Sequence, residues 1–155
     1  MKENLSGTLA VDLGNTNTVI AFQDQKDINS VLIEIPNITS SPGVVPTAIW
    51  FEETSSIVKI GISALNMRNN SNSDLYFHSN FKRLIGNPVE KINPKNILSP
   101  DECGKKFFKF LWANIPEKYD IRRLVLTAPI DTYRGYREWL INLCGEISTD
   151  EIALV

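Results

Sequence analysis

The sequence predicts an α/β domain built on a mixed sheet. Three observations carry that prediction. The opening stretch, VDLGNTNTVIAF from Val11 to Phe22, is two apolar runs joined by a tight Gly-Asn turn. That is the pattern of a β-hairpin. The second half of the chain alternates amphipathic helical patterns with short buried apolar runs. Between the two halves lies an irregular stretch rich in proline and polar loops, with a small hairpin of its own.

In chain order, LAVDLG (Leu9 to Gly14) and TVIAF (Thr18 to Phe22) read as strands. VLIEI (Val31 to Ile35) reads as a third, ended by Pro36. VVPTAIWF (Val44 to Phe51) and IVKIG (Ile57 to Gly61) form a second, smaller hairpin, and ISALNM follows as a short helix. FHSNFKRLIG (Phe77 to Gly86) reads as a helical turn that Gly86 stops. Ser99, Pro100 and Glu102 make a helix start, with Ser99 as N-cap, Pro100 in the first turn and Glu102 closing a capping box. That helix spans about 100–114 and presents Cys103, Phe107, Phe110 and Leu111. RRLVLTAP is a buried strand near 122–128, stopped by Pro129. A second amphipathic helix near 133–144 carries Tyr136, Trp139, Leu140 and Leu143 on one side, with Gly145 past its end. EIALV is a last strand, and it reads as cut in the middle of a sheet. The expected organisation is a core lobe from 1–39 and 96–155, with 40–95 inserted as a small α+β subdomain.

Composition excludes several classes. The chain has 155 residues, 43% apolar and 22% charged, with a net charge of -2, which suits one globular domain with a real core. Mixed charge argues against a nucleic-acid partner or a basic membrane face. No apolar run approaches the ~20 residues that span a bilayer. MKENLSGT is too polar for a signal peptide, so a cytoplasmic location is expected. Cys103 and Cys144 are far apart, with no CxxC pair, which points to buried thiols rather than a zinc site or a disulfide framework. Trp50, Trp112 and Trp139 lie at apolar positions, and His78 reads as a loop or surface residue. No repeat or low-complexity tract is evident.

The opening turn carries the chemistry. It holds a carboxylate, two asparagines and two threonines within seven residues. With Gly14 free to take a positive φ, the backbone N–H groups of Asn15, Thr16 and Asn17 can converge on one anion as a nest. Asp12 would face that anion across a hydrated Mg²⁺, since a bare carboxylate repels phosphate. The same residues also make an ordinary hairpin turn, and residue type alone leaves both readings open.

VDLGNTNTVIAF resembles the first phosphate loop of the actin, sugar-kinase and heat-shock-chaperone ATPase superfamily. DLGNTNT is close in wording to type III pantothenate kinases. VVPTAIWF followed by VKIGISALN, then FKRLIG, then LVLTAP with Arg137 eight residues after Pro129, resemble the words of the 70-kilodalton heat-shock (DnaK-type) chaperones, in that family's order over essentially the whole chain. FKRLIG is the most specific of them, and it favours the chaperone family over the kinases. The resemblance implies a ribonuclease-H-like lobe of an actin-like ATPase domain, C-terminally truncated. It implies ATP or ADP with Mg²⁺ as the parent's cofactors, with none tightly bound by this stretch. Asp12 would sit near the Mg²⁺ through water, and Gly14, Asn15, Thr16 and Asn17 would line the phosphates. Lys82 would be the catalytic cation, where composition alone reads a solvated lysine. Pro129 and Arg137 would be the interdomain relay. Unfolded peptide clients, bound through a further C-terminal domain, and a J-domain co-chaperone and nucleotide-exchange factor would be the partners.

The sequence departs from that family at three places, one of them a connector after Gly86 that is short compared with the family's. Asn15 stands where the family has Thr, and IDTYRGYR replaces its usual Ala-Tyr-Phe-Asn run. The family's later Asn-Glu-Pro word and second phosphate loop would follow EIALV. A non-enzymatic lobe kept for regulation or partner binding is therefore the second expectation, and a pantothenate-type small-molecule kinase the third.

Overall fold

The computed structural model describes residues 4–87, 98–128 and 134–155. Its frame is a mixed sheet with flanking helices. β1 (Leu5–Asp12) and β2 (Asn17–Asp24) form the expected antiparallel hairpin, with Asp12 opposite Val19 at its closed end. Alternation sets the faces: Leu9 and Val11 are buried while Ala10 and Asp12 are exposed. β8 (Tyr119–Leu126) runs parallel to β1, and β9 (Glu151–Leu154) runs parallel to β8.

Parallel neighbours need a crossover between them, and helices supply it. α2 (Pro100–Ala113) enters β8, and α3 (Arg134–Cys144) lies between β8 and β9. The capping box at the head of α2 is complete. The Ser99 hydroxyl accepts from the Glu102 backbone N–H at 3.2 Å, and the Glu102 carboxylate accepts from the Ser99 N–H at 2.9 Å. Each bond satisfies a donor at the helix start that has no intrahelical partner. Phe107, Phe108 and Leu111 of α2 meet Tyr136, Trp139, Leu140 and Leu143 of α3 in one core with Leu9, Val11, Leu124 and Leu126.

The third strand is shorter than 31–35. β3 covers only Ser30–Leu32, against the far half of β2. Ile33, Ile35 and Ile38 are buried, Pro36 interrupts the run, and Asn37 takes a φ of 63°. The chain turns inward to bury three isoleucines, so it leaves the edge of β2. Gly43 then accepts from the Ile20 N–H at 2.8 Å, and β4 (Val44–Pro46) occupies the rest of that edge.

The run 44–51, expected as one strand of the small hairpin, is two strands in two sheets. β4 belongs to the main sheet, while β5 (Ala48–Glu52) pairs with β6 (Ile57–Ile60) and β7 (Phe77–Ser79) in a separate three-stranded sheet. Thr47 sits at the switch, its N–H bonded to the Thr16 carbonyl at 2.8 Å and its hydroxyl to that of Thr18 at 2.8 Å. α1 (Ile62–Asn69) follows β6 and packs on the small sheet through Ala64. FHSNFKRLIG is likewise divided, into β7 and a 3₁₀ turn at Lys82–Leu84. His78 is buried in β7 opposite Ile49, not on a loop or at the surface. Burial lowers its pKa from the ordinary value of 6.5.

Candidate functional site

The site starts where β1 and β8 end side by side. Asp12 is the last residue of β1 and is exposed. Its carboxylate accepts a hydrogen bond from the Thr127 hydroxyl at 2.5 Å, and the Thr127 N–H bonds to the Val11 carbonyl at 3.2 Å. The carboxyl ends of parallel strands are where α/β sheets leave room for a ligand.

The chain then turns through Leu13 to Thr16 into β2. Gly14 is required here, though not for a positive φ, since its φ lies outside the left-handed region. A Cβ at Gly14 would stand 2.0 Å from the Asn17 carbonyl oxygen, so close approach within the turn is the reason. The backbone N–H groups of Asn15 and Thr16 meet no acceptor among the described residues. The Asn15 side chain donates to the Asn80 side-chain oxygen Oδ1 at 3.1 Å, leaving its own Oδ1 buried and without a partner among the described residues. Asn17 is exposed and begins β2 opposite Pro46.

Asn80 leads directly to Phe81, which is buried, and to Lys82 at the head of the 3₁₀ turn. The Lys82 ammonium lies 5.7 Å from the centroid of the Tyr136 ring on α3. It forms no ion pair among the described residues. Burial lowers the Lys82 pKa from its ordinary 10.5, and the negative charge of Asp12 opposes that shift. Burial, followed by the charge of Asp12, pushes the Tyr136 phenol up to about 12. Asp12, Lys82 and Tyr136 therefore lie within electrostatic reach of one another, although they come from β1, the 3₁₀ turn and α3.

The segment bearing Lys82 is held by backbone contact. Gly86 has a φ of 77°, and a Cβ there would meet Gly135 and the Tyr136 nitrogen at 2.2 to 2.6 Å. The Gly86 N–H bonds to the Asp101 carboxylate at 2.8 Å, and the Trp139 indole donates to the Asp101 carbonyl at 3.1 Å. Asp101 thus ties the Lys82 segment to both helices.

Arg137 is exposed on α3 and forms no ion pair among the described residues. Pro129 lies outside the described residues, so the relay pair is not on view as a pair. Thr127, Asn80 and Tyr136 are site neighbours that the sequence reading did not single out. Thr127 had a signal, a hydroxyl directly after an apolar strand in LVLTAP. Among the described residues, no group of three or more His, Cys, Asp or Glu side chains could hold a metal ion directly. Asp12, a single exposed carboxylate, fits a hydrated cation held through water. A recess of about 200 Å³ between α2 and α3, lined by Asp101, Trp139 and Glu146 among others, includes neither Asp12 nor Lys82. No helix among the described residues is long and apolar enough to cross a membrane.

No protein-family model and no curated protein sequence matches the chain.

Proposed function

We propose that this chain is one lobe of a DnaK-like chaperone ATPase and forms one wall of its nucleoside-triphosphate site. The observation that carries the reading is the contact between the Asp12 turn and the Lys82 segment, distant in sequence: the Asn15 amide donates to the Asn80 side-chain oxygen at 3.1 Å, and the charge of Asp12 acts on Lys82. Two further features support it: the unoccupied N–H groups of Asn15 and Thr16, and the resemblance of FKRLIG and DLGNTNT to that family's words.

Each residue then has a role. Asn15 and Thr16 N–H groups hold phosphate oxygens, as backbone nests do. Lys82 places a partly desolvated positive charge where charge builds on the transferred phosphoryl group, which is most of what phosphoryl transfer asks of a protein. Thr127 orients the Asp12 carboxylate toward a hydrated Mg²⁺, and that ion supplies charge neutralisation at the phosphates when bound. The remaining contacts, to the base and the other phosphate face, belong to a second lobe. The peptide clients, J-domain co-chaperone, exchange factor and cytoplasmic setting of such chaperones follow as part of the same proposal.

The test is a titration of the 155-residue chain with Mg-ATP and with inorganic pyrophosphate, followed by amide NMR. The expected result is weak binding, above the micromolar range because half the contacts are missing, with the largest shifts at Asn15, Thr16 and Asn17. No shift at those amides returns the turn to a plain hairpin. Micromolar ATP affinity points instead to a complete and different nucleotide site.

A second reading, a binding lobe without hydrolysis, is favoured by Asn15. The family's hydroxyl is absent there, and the side chain is engaged with Asn80. Single-turnover hydrolysis by the full-length protein separates the two readings. Loss of that turnover in Lys82→Ala, with affinity retained, supports the ATPase.

A further inference from the structure

We propose that the Tyr136 hydroxyl is a ligand-binding group, a buried donor that hydrogen-bonds an anionic oxygen of the phosphate bound beside Lys82 and the Asn15–Thr16 turn. The inference rests on the phosphate reading above and adds a residue to it. Tyr136 is only 4% exposed, and its hydroxyl oxygen is buried without a hydrogen-bond partner among the described residues.

Such an orphan is costly, because burying a hydroxyl forfeits its bonds to water with nothing in return. Phenylalanine would fill the same space without that loss. The ring has a structural role that needs no oxygen: it stacks on Trp139 at 5.6 Å and 29°. Its start on α3 is fixed by the Gly86 contact, and Trp139 is fixed by Asp101. The hydroxyl is therefore carried on a rigid frame, on a ring whose centroid lies 5.7 Å from the Lys82 ammonium and whose phenol feels the Asp12 charge. A rigid, unsatisfied donor on a ring next to that ammonium is suited to an anion with several acceptor oxygens, such as one held by the Asn15 and Thr16 N–H groups. With the phenol pushed up to about 12, it stays protonated, and so a donor, at neutral pH.

The test is Tyr136→Phe in the 155-residue chain, with inorganic pyrophosphate as the ligand. Removing an unsatisfied buried hydroxyl should raise the melting temperature by roughly 2 to 4 °C. The same change should weaken pyrophosphate binding about tenfold, the effect of one hydrogen bond to a charged group, while Asn15 and Thr16 amides still shift. In the wild type, the Tyr136 Cζ resonance should move on pyrophosphate addition, a readout that does not depend on the variant folding. Equal affinity in wild type and Tyr136→Phe, or a Cζ resonance that stays still while the turn amides move, overturns this inference and leaves the phosphate reading standing. A fall in melting temperature also overturns it, since the hydroxyl then has a structural partner. No pyrophosphate binding by the wild type overturns both.

Discussion

A lysine ammonium that is half sunk against an aromatic ring does not titrate as one in water does. Lys82 loses hydration, which favours its neutral form, and Asp12 supplies the charge that limits the loss. Asp12→Asn keeps the shape and the Thr127 contact but removes that charge. The Lys82 pKa should then fall further below 10.5, read from the pH dependence of its Cε resonance, whereas an unchanged titration would show the two groups to be uncoupled. The sign for stability follows from linkage. A folded-state pKa below the unfolded value means the unfolded chain binds the proton more tightly, so Lys82 disfavours folding while charged. That penalty is relieved as pH rises from the folded pKa toward 10.5, and Asp12→Asn widens the window downward. At this scale the sequence singled out Asp12 and Lys82 as candidates, because each sits in a short distinctive word. Tyr136 was hidden in plain view: its helical spacing marks a core face, and an apolar pattern says nothing of where a phenol's oxygen ends.

Among the elements, most boundaries followed local chemistry that sequence carries directly. Ser99, Pro100 and Glu102 start α2 through bonds spanning three residues, and alternation orients β1 without outside help. The misplacements arose where a tertiary demand overrode a local pattern. VVPTAIWF has unbroken strand propensity, yet Thr47 hands it from one sheet to the other, because β2 has an open edge that only three of its residues can reach. FHSNFKRLIG looked helical by composition, and its first residues pair with β5 instead. Gly86 follows the 3₁₀ turn with a left-handed φ of 77°, as a helix stop does, and it also makes a close backbone contact. Gly86→Ala should cost at least ~1–2 kcal/mol for the left-handed backbone alone, and more for the approach to Gly135 and Tyr136. The cost is measured by urea unfolding. Because that contact positions Lys82, the same variant should shift the Lys82 side-chain resonances. A variant as stable as wild type with Lys82 undisturbed would show that Gly86 positions nothing.

Across the whole molecule, the two sheets share a core although they share no ladder. Ile49 and Ile60 of the small sheet are fully buried with Leu9, Val11 and Phe107 of the larger one, while Trp50 and Ala64 close the small sheet's other side. α2 reaches across as well, with the Lys106 ammonium 4.6 Å from the Phe51 ring. An appended unit with its own core can melt alone, but one whose isoleucines are counted in the main core exposes that core when it opens. The described residues should therefore unfold as one cooperative unit. Trp50 reports on the small sheet and Trp139 on α3, so the expectation is checked with two variants, Trp112→Phe with Trp139→Phe, and Trp50→Phe with Trp112→Phe. Each loses some stability from core truncation, so the comparison is internal. Within each variant, the fluorescence midpoint in urea should coincide with that of far-ultraviolet circular dichroism. If the Trp50 signal moves at lower urea than the dichroism, the small sheet is a separate folding unit. Lys82, which hangs from β7 on that sheet, would then reach Asp12 only while the unit is closed, and phosphate affinity would track its stability rather than that of the whole chain.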